Sequence, residues 1–375
     1  MRIAYILTWN LAHNDGVTRK VFQQVQEWRE VGQEVEIFYS WNSEGKDARG
    51  ANFFQKDLIW NSPIGILKNN KTYSLLCKSV IEYKPDVVYL RWEFHKNPIM
   101  KLMGKIPTVM EINTHIEGEF KRRSRDNFKD KLRYIYYLLT YKGFNEKCAG
   151  IVSVTKEILE LGGYKKIGKP TCYIPNSIPI DENSSVSNYS GRDDNIPRLV
   201  FIFSGLRPWH GLDNIVELAK GSIGELNFDL ITGFDAQDLE LPPNVKVYPF
   251  LEKNEFLDIF KTAVAGIGSA GLYEKQMNEA CAIKVREYLA AGLPVIIPYK
   301  DTAFVDNNLP EWVLELPNQK GSLIKSKEKI INFVRLMRGK RLSSKEVMPY
   351  VGSKYWESKR LEFMKEVVTR SQNEF

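Results

Sequence analysis

The sequence predicts an α/β protein built from two doubly wound domains, each a parallel sheet with helices on both faces. Short apolar runs alternate with segments of helical period along the whole chain, which is typical of strand–helix–strand units. The chain has 375 residues, 43% of them hydrophobic, more than one ordinary core accommodates. A polar stretch rich in serine and asparagine interrupts the alternation once. We therefore expect a first domain over 1–180, a linker over 181–197 and a second domain over 198–354.

The first half of the chain contains six apolar runs with the length of buried strands. We predict strands at Ile3–Leu7, Val35–Tyr39, Val87–Leu90, Thr108–Ile112, Ile151–Val154 and Cys172–Ile174. Between the first two, Val17–Val31 places Val21, Val25 and Trp28 on one helical face. Gly32 then stands at the position of a helix C-cap.

The second half repeats this rhythm after the linker. We predict strands at Leu199–Phe203, Phe228–Ile231, Val245–Tyr248, Ala265–Ile267, Pro294–Ile297 and Val313–Leu316. The expected helices are Leu212–Ala219, Glu255–Ala263, Lys284–Ala290 and Leu323–Met337. Ligands of doubly wound sheets bind at the carboxyl ends of the strands, where the strand order reverses. With two facing domains, we expect the site in the cleft between them.

Composition and charge narrow the class of protein. The 53 Lys and Arg residues against 46 Asp and Glu residues give a formal charge of +7. This mild positive excess permits an anionic ligand or an anionic surface. We expect no nucleic-acid partner. The four cysteines form no C-x-x-C, which argues against a disulfide framework or a zinc knuckle and fits a reducing cytoplasm. No stretch approaches the roughly 18 apolar residues of a membrane span, and the N-terminal apolar run is too short for a signal peptide. We expect a cytoplasmic protein, soluble or peripheral on a membrane.

One segment has the composition of a phosphate-binding loop. The strand Leu199–Phe203 continues into S-G-L-R-P-W-H-G, and a helix follows. Gly205 and Gly211 would let the backbone approach a ligand, while Arg207 and His210 would stand at a helix N-terminus, which favours an anion. The alternative is a surface loop with one solvated arginine, but the position after the first strand of a domain favours phosphate. No H-x-H, H-E-x-x-H or D-x-D spacing occurs, so we expect cations and helix amides, and no metal, to neutralise the phosphate.

A pair of glutamates forms the second candidate motif. Glu279 and Glu287 are eight residues apart, which on a continuous helix is about 12 Å of rise with both on nearly the same face. One carboxylate could then bind a sugar and the other a ribose, since carboxylates accept hydroxyl hydrogen bonds well. The alternative is two solvated glutamates on an amphipathic helix.

The two motifs together resemble the retaining family-4 glycosyltransferases of the GT-B fold. The first is S-G-L-R-P-W-H-G, and the second, later in the chain, is E-x₇-E ending in E-Y-L-A-A-G-L-P-V-I. Further similar segments follow the same order along the chain: the first loop Gly16-Val17-Thr18-Arg19, Glu111-Ile112-Asn113, Ile174-Pro175-Asn176-Ser177 before the hinge, and Tyr355-Trp356. The resemblance implies two Rossmann-like domains facing a cleft. It also implies that a C-terminal helix over 355–375 returns to the N-terminal domain.

The resemblance also implies roles for particular residues. Arg207 and His210 match the cations that hold the donor diphosphate, and Glu279 matches the glutamate that contacts the transferred sugar; these three form the implied catalytic set. Glu287 matches the ribose-binding glutamate, and Gly16 the loop glycine near the diphosphate. The implied donor site also takes in Gly205, Asn278, Ala280, Cys281 and Lys284, and the candidate sugar or acceptor contacts are His115, Asn113 and Arg19. The chain departs from the family at His210, where lysine is usual, and at Asp15, where a second glycine is common.

The implied function is retaining transfer of a sugar from a nucleotide-diphosphate donor to a glycan or lipid-linked glycan, in the synthesis of cell-envelope polysaccharide. The substrate is the nucleotide sugar itself, and we expect no cofactor. Two alternatives remain: a nucleotide-sugar epimerase of the same fold, and a nucleotide-binding module without turnover. A nicotinamide dehydrogenase is disfavoured because no G-x-G-x-x-G follows Ile3–Leu7.

The segment 120–149 combines charge and apolar residues. It contains nine basic residues, and Leu132, Ile135, Tyr136, Leu139 and Phe144 are interleaved at mostly helical spacing. One interpretation is a helix that packs Leu132, Ile135 and Leu139 on its own sheet and leaves a solvated basic face. The other is an amphipathic patch on anionic lipid at the inner leaflet of the plasma membrane, which the resemblance to envelope enzymes favours.

Overall fold

The structure, a computed structural model, describes residues 1–12, 15–41, 50–55, 63–125, 127–180, 196–203, 205–235, 239–249, 251, 253–306 and 308–373. The chain divides into two compact units. The first comprises Met1–Ile174 together with Lys354–Phe375, and the second comprises Pro175–Ser353. Most of the expected linker, 181–195, lies outside the described residues.

The first unit contains a sheet of seven parallel strands. They are β1 (Arg2–Leu7), β2 (Glu34–Trp41), β3 (Asn52–Gln55), β4 (Val87–Arg91), β5 (Thr108–Ile112), β6 (Gly150–Ser153) and β7 (Thr171–Tyr173). Their order is β3-β2-β1-β4-β5-β6-β7, so the direction of winding reverses between β1 and β4. The central strands are buried along almost their whole length, because helices cover both faces of such a sheet.

Within the described part of this unit, six helices follow strands of the sheet: α1 (Gly16–Glu30), α2 (Pro63–Tyr83), α3 (Asn97–Met103), α4 (Ile116–Arg123), α5 (Phe128–Lys147) and α6 (Lys156–Leu161). Helix α1 buries Val21, Val25 and Trp28, as its periodicity predicts. Asp15 caps its start, since one carboxylate oxygen accepts the amide of Thr18 at 2.8 Å. Gly32 follows its end with φ +80°, the left-handed conformation expected there.

The second unit has a sheet of six parallel strands and a separate pair of two-residue strands. The strands are β8 (Arg198–Phe203), β9 (Asn227–Thr232), β10 (Val245–Pro249), β11 (Ala265–Ile267), β12 (Glu279–Ala280), β13 (Val295–Ile297), β14 (Lys300–Asp301) and β15 (Val313–Glu315). The large sheet has the order β10-β9-β8-β11-β13-β15, with its reversal between β8 and β11, and β12 pairs with β14. All twelve strands predicted from the sequence are present, with ends shifted by one or two residues. The prediction of two Rossmann-like units with parallel sheets is confirmed.

Helices of the second unit are α7 (Leu212–Lys220), α8 (Lys253–Thr262), α9 (Ile283–Ala290), α10 (Ser322–Lys325), α11 (Lys327–Met337) and α12 (Ser344–Val351). The single helix predicted over Leu323–Met337 is wrong, because the chain breaks at Ser326 into α10 and α11. Helix α12 begins with a capping box, in which Ser343 and Glu346 bond to each other's backbone amides.

The last helix, α13 (Ser353–Asn373), contributes to the core of the first unit. Leu361, Phe363, Met364 and Val367 are buried there in one cluster with Trp28. Gly150 at the start of β6 lies directly beneath this helix, because a Cβ at that position would lie 2.6 Å from Val367.

Helix α5 does not pack against the sheet through the residues that one interpretation of segment 120–149 predicts. Leu132, Ile135 and Leu139 are 53%, 45% and 79% exposed, so the interpretation in which they pack on the sheet is wrong. The buried residues of α5 are Tyr137, Phe144 and Asn145. The periodicity identifies an amphipathic helix, but it does not say which of its faces meets the sheet.

A buried cluster of charges joins four elements of the first unit. Glu111 at the end of β5 is fully buried and accepts hydrogen bonds from Lys20 of α1 at 2.7 Å, Arg91 of β4 at 3.3 Å and Arg360 of α13 at 3.4 Å. Burial raises the pKa of Glu111, but the charges of Lys20, Arg360 and Arg91 outweigh it and hold the pKa well below its usual value. Glu111 therefore stays ionised and fixes the ends of the elements that meet it.

Replacing Glu111 tests this role. In Glu111→Gln the three cations surround a neutral amide, so we expect the free energy of unfolding of the first unit to fall by about 3–5 kcal/mol. Urea unfolding followed by tryptophan fluorescence measures it, since Trp28 and Trp356 lie in the same core. The control is Glu34→Gln, whose exposed pair with Arg2 should be worth about 1 kcal/mol or less. Equal unfolding midpoints for the two variants would contradict the prediction.

Candidate functional site

The candidate site of the second unit lies at the carboxyl ends of β8 and β11, where the strand order reverses. Two loops meet there, 205–211 after β8 and 268–271 after β11. A Cβ on Gly211 would lie 2.3 Å from the carbonyl carbon of Ala270, and the amide of Ala270 donates to the carbonyl of His210 at 2.8 Å. This contact and the φ of +72° at Gly211 require glycine. The two loops therefore form one compact edge at the position where doubly wound sheets bind ligands.

Gly205 and Arg207 form the outer part of the β8 loop. A Cβ on Gly205 would meet nothing within 4 Å, so this glycine leaves open space and does not serve a special backbone conformation. The side chain of Arg207 is exposed, and its amide donates to the carbonyl of Gly205 at 2.9 Å. The loop thus presents a guanidinium beside an unobstructed stretch of backbone.

His210 is uncharged in this loop at neutral pH. Its Nδ1 lies 2.7 Å from the carbonyl oxygen of Gly205, and since a carbonyl only accepts, Nδ1 carries the proton. Burial and the charges of Lys284, Lys275 and Arg207 lower the pKa of His210 to about 4, although the Gly205 bond opposes them. His210 occupies the position where the sequence predicts a phosphate-binding cation, but in the free protein its imidazole is neutral at neutral pH.

Lys284 brings a buried ammonium to the same place. It lies in the first turn of α9, and its Nζ is 4.2 Å from the centre of the Phe201 ring. This Nζ is buried, and no group among the described residues hydrogen-bonds to it. Burial lowers the pKa of Lys284 to about 7, with Glu287 acting in the opposite direction. Because a buried ammonium is costly unless its N–H donors form hydrogen bonds, this position suits an anionic group that accepts hydrogen bonds.

Tyr288 seats α9 on the sheet and so places Lys284 and Glu287. Its hydroxyl accepts the amide of Ile202 at 2.8 Å. Its ring fills the space over Gly266, where a Cβ would lie 2.3 Å from it. Lys284 and Glu287 are three residues apart on this helix and therefore share a face.

The predicted helix over Lys284–Ala290 is present as α9, but Glu279 lies outside it, so the hypothesis that Glu279 and Glu287 share one continuous helix is wrong. Glu279 lies in β12 and pairs with Lys300 of β14, whereas Glu287 lies in α9, which begins at Ile283. The carbonyls of Asn278 and Ala280 accept the amides of Lys300 at 2.9 Å and Thr302 at 3.1 Å, so this segment is extended. The helical spacing of about 12 Å does not apply to the pair. Glu279 is 6% exposed, and Glu287 is half-buried.

A buried ion pair connects α9, which carries Glu287, to β14, the strand that pairs with the Glu279 strand β12. Arg286 of α9 donates to both carboxylate oxygens of Asp301 in β14, at 2.5 and 2.6 Å. Its Nε donates to the carbonyl of Asn176 at 3.0 Å, and the side-chain amide of Asn176 donates to the carbonyl of Cys281 at 2.7 Å. The sequence does not distinguish Arg286 or Asp301 from solvated charged residues, because the pairing that buries them joins two elements of the fold.

The remaining residues of the predicted donor set in the second unit are Asn278, Ala280 and Cys281. Cys281 is buried, with its sulfur 2.9 Å from the amide of Asn176. Ala280 is half-buried in β12, and Asn278 is exposed, with its side-chain oxygen accepting from Asn318 at 3.3 Å.

In the first unit, the predicted loop residues lie at the start of α1. Gly16 is the first residue of the helix and Arg19 is in its first turn. Asp15, which stands where a second glycine is common, caps the helix and also accepts from Nε1 of Trp9 at 2.9 Å. The departure from the glycine-rich pattern therefore has a structural reason.

Asn113 and His115 follow β5 in the first unit. Asn113 accepts from Lys20 at 2.9 Å and donates to Glu111 at 3.0 Å, which ties it to the buried charge cluster. His115 is the half-buried N-cap residue of α4. Both stand at the carboxyl end of the sheet. Across the described ranges of the chain, no three His, Cys, Asp or Glu side chains are grouped so that they could hold a metal ion.

No protein-family model and no curated protein matches this chain. Among solved structures, it is similar to sucrose-phosphate synthase from Thermosynechococcus elongatus, with a TM-score of 0.70, 13% identity, and 98% of this chain and 99% of that chain covered. It is also similar to the lipopolysaccharide outer core galactosyltransferase WaaB (TM-score 0.63, 12% identity, 97% and 100% covered). A third similar structure is Anabaena HepE in complex with UDP and glucose (TM-score 0.62, 12% identity, 98% and 100% covered). These similarities over nearly the full length show that the chain has the GT-B fold.

Proposed function

We propose that this protein is a retaining glycosyltransferase that moves a sugar from a nucleotide-diphosphate donor to a glycan or lipid-linked glycan. The observation that carries the proposal is the buried ammonium of Lys284 beside His210, at the strand reversal of the second unit. The structural neighbour HepE, which binds UDP and glucose, supports a nucleotide sugar as the donor.

The proposal assigns the diphosphate to Lys284, His210 and Arg207. The ammonium of Lys284 would donate charge-assisted hydrogen bonds to phosphate oxygens, and its place in the first turn of α9 adds the helix amides. His210 would become cationic as the phosphate raises its pKa. Together these groups would stabilise the charge that develops on the leaving phosphate, which is the main source of catalysis for such a transfer.

The two glutamates take different parts of the donor in this proposal. Glu287 shares a helical face with Lys284, so a ribose joined to the bound diphosphate would lie within its reach. Glu279, on the separate strand β12, would bind hydroxyls of the transferred sugar. Retention follows if the acceptor oxygen attacks the face from which the phosphate departs. The bond from the anomeric carbon to the phosphate oxygen then breaks, and the acceptor proton passes to that oxygen.

Helix α5 supports a peripheral site of action at the cytoplasmic face of a membrane. Phe128 and Leu139 are 72% and 79% exposed on it, and the exposed basic residues nearby include Lys121, Arg125, Lys129 and Lys131. Apolar side chains rimmed by lysine and arginine suit an anionic lipid surface. None of the described helices is both long enough and apolar enough to span a bilayer. The neighbour WaaB acts on lipopolysaccharide outer core, which supports an envelope glycan as the acceptor.

Nucleotide binding tests the role of Lys284. In Lys284→Met the charge-assisted bonds to phosphate are lost, so we expect the affinity for the preferred nucleoside diphosphate to fall about 10- to 100-fold. A calorimetric panel of UDP, GDP, ADP and dTDP identifies that nucleotide and measures the loss. Lys220→Met, at an exposed position of the same unit, should bind as the unchanged protein does. If Lys284→Met binds all four nucleotides with unchanged affinity, the site is elsewhere.

The pH dependence of nucleotide affinity is a separate prediction. The free protein holds the pKa of Lys284 near 7, and a bound diphosphate raises it, so binding takes up a proton above that pH. Affinity should therefore fall as pH rises above about 7, by up to tenfold per pH unit. Calorimetry in buffers of different ionisation enthalpy measures the proton uptake directly. In Lys284→Met, nucleotide affinity should no longer fall as pH rises above 7. If the fall persists in this variant, another group is responsible for it.

Vesicle binding tests the membrane part of the proposal. We expect co-sedimentation with vesicles of anionic phospholipid at low salt, loss of binding at high salt, and none with zwitterionic vesicles. Changing Lys121, Lys129 and Lys131 to Ser should weaken binding about 100-fold, since each contributes about 1 kcal/mol. The matched control changes Lys325, Lys329 and Lys345, exposed in the second unit, and should bind normally. Absence of binding to anionic vesicles at low salt removes the membrane from the proposal and leaves a soluble acceptor.

A further inference from the structure

The first unit contains a cavity of about 340 Å³ that the donor site does not use. Its lining comes from the ends of β1, β4 and β5 and from α4 and α5. It therefore lies at the strand reversal of its own sheet, between β1 and β4, where doubly wound sheets bind ligands. Its volume is in the range of small-molecule sites and suits one or two sugar rings.

The charge of the lining is positive. Arg91 at the end of β4, Arg123 at the end of α4 and Arg133 in α5 all line the cavity, and Glu119 is its one acidic lining residue. Three arginines drawn from three elements thus converge on one space. A cavity wall with this excess of guanidinium groups favours an anion, and phosphate and carboxylate match the planar fork of an arginine.

Carboxylates hold these arginines in position but leave some of their N–H donors unused. Arg133 donates to Asp130 at 2.7 Å, and Arg123 lies 3.9 Å from Glu119. Arg91 donates to Glu111 at 3.3 Å, but Glu111 is shared with two further cations and so does not neutralise Arg91. A guanidinium has five N–H donors, so one carboxylate partner leaves several for a ligand.

An aromatic wall completes the cavity. Trp92, Phe94 and Phe120 line it and contact one another, with ring centres 4.8 to 6.3 Å apart. Flat apolar rings next to charged donors suit a ligand with a ring-shaped C–H face and an ionised group. A sugar that carries a phosphate or a carboxylate has both features.

We propose that this cavity binds the acceptor and that the acceptor is an anionic sugar, held by its phosphate or carboxylate on Arg91, Arg123 and Arg133 with its ring against Trp92. This inference rests on the proposed function, because it names the acceptor class of that transfer. The anionic group has two potential sources, a free sugar phosphate and the phosphate of a lipid-linked glycan, and both present the same chemistry to the arginines.

Direct binding to the full-length protein tests the proposal without the donor. Calorimetry with a hexose 6-phosphate, a hexuronate and the neutral hexose should give at least tenfold tighter binding of an anionic sugar than of the neutral one. A short isoprenoid phosphate bearing one sugar, presented in neutral detergent, is the lipid-linked arm. Binding of this probe alone would assign the anion to a lipid carrier, and binding of the free sugar phosphate or of the hexuronate would assign it to the sugar itself.

Two exposed arginines provide variants that should fold normally. Arg123→Gln and Arg133→Gln should each weaken binding of the anionic sugar about tenfold or more, and leave the weak binding of the neutral hexose unchanged. The control is Arg370→Gln, an exposed arginine of α13 that is likewise paired with a carboxylate on its own helix. Trp92→Leu should weaken the sugar ligands but leave binding of inorganic phosphate unchanged.

The results separate this inference from the proposed function. Equal affinity for neutral and anionic sugars, unchanged affinity in both arginine variants, or no anionic ligand bound at millimolar concentration would each overturn it. Nucleoside diphosphate affinity, measured on the same variants, should stay at its normal value because it depends on the second unit. If the anionic sugar binds and no nucleotide does, the cavity assignment stands and the proposed function fails.

Discussion

The geometry of the candidate site in the second unit depends on the buried ion pair between Arg286 and Asp301. Removing two charges from water is expensive, and the pair offsets this cost by bidentate geometry and further bonds to the carbonyl of Asn176 and the amide of Ala303. Asp301 belongs to the strand that pairs with Glu279, and Arg286 directly precedes Glu287. The pair therefore determines how the strand that carries one glutamate lies against the helix that carries the other.

The first unit also contains a buried ionic cluster, which is centred on Glu111. Its carboxylate is satisfied by Lys20, Arg91 and Arg360, so helix α1, strand β4 and the C-terminal helix α13 meet at one buried point. Arg91 belongs both to this cluster and to the lining of the cavity. In each unit, a buried ionic cluster thus gives rigid support to residues of the candidate site.

His210 and Lys284 both have lowered pKa values in the free protein. Burial lowers the pKa of each group, and the charge of Lys284 lowers the pKa of His210 further. In the proposed function, a bound phosphate would raise both pKa values, so the full charge of these groups would develop against the ligand. Histidine could then stand where lysine is usual in the resembled family, because Lys284 would supply a further cation to the same phosphate.

The sequence by itself determined twelve of the fifteen strands among the described residues and the loop with Arg207 and His210, because strands buried on both faces are continuous apolar runs and glycine loops have local signatures. It also identified α5 as amphipathic and Glu287 as a helical residue. It did not identify the short strands β3, β12 and β14. Only the tertiary structure placed Glu279 on a strand, because hydrogen bonds to β14, some twenty residues away, compete with local helix formation. It alone turned Leu132 and Leu139 outward, buried the ammonium of Lys284 and gathered arginines from three elements around one cavity. Local periodicity carries no information on such contacts, which join residues far apart in the chain through burial and charge.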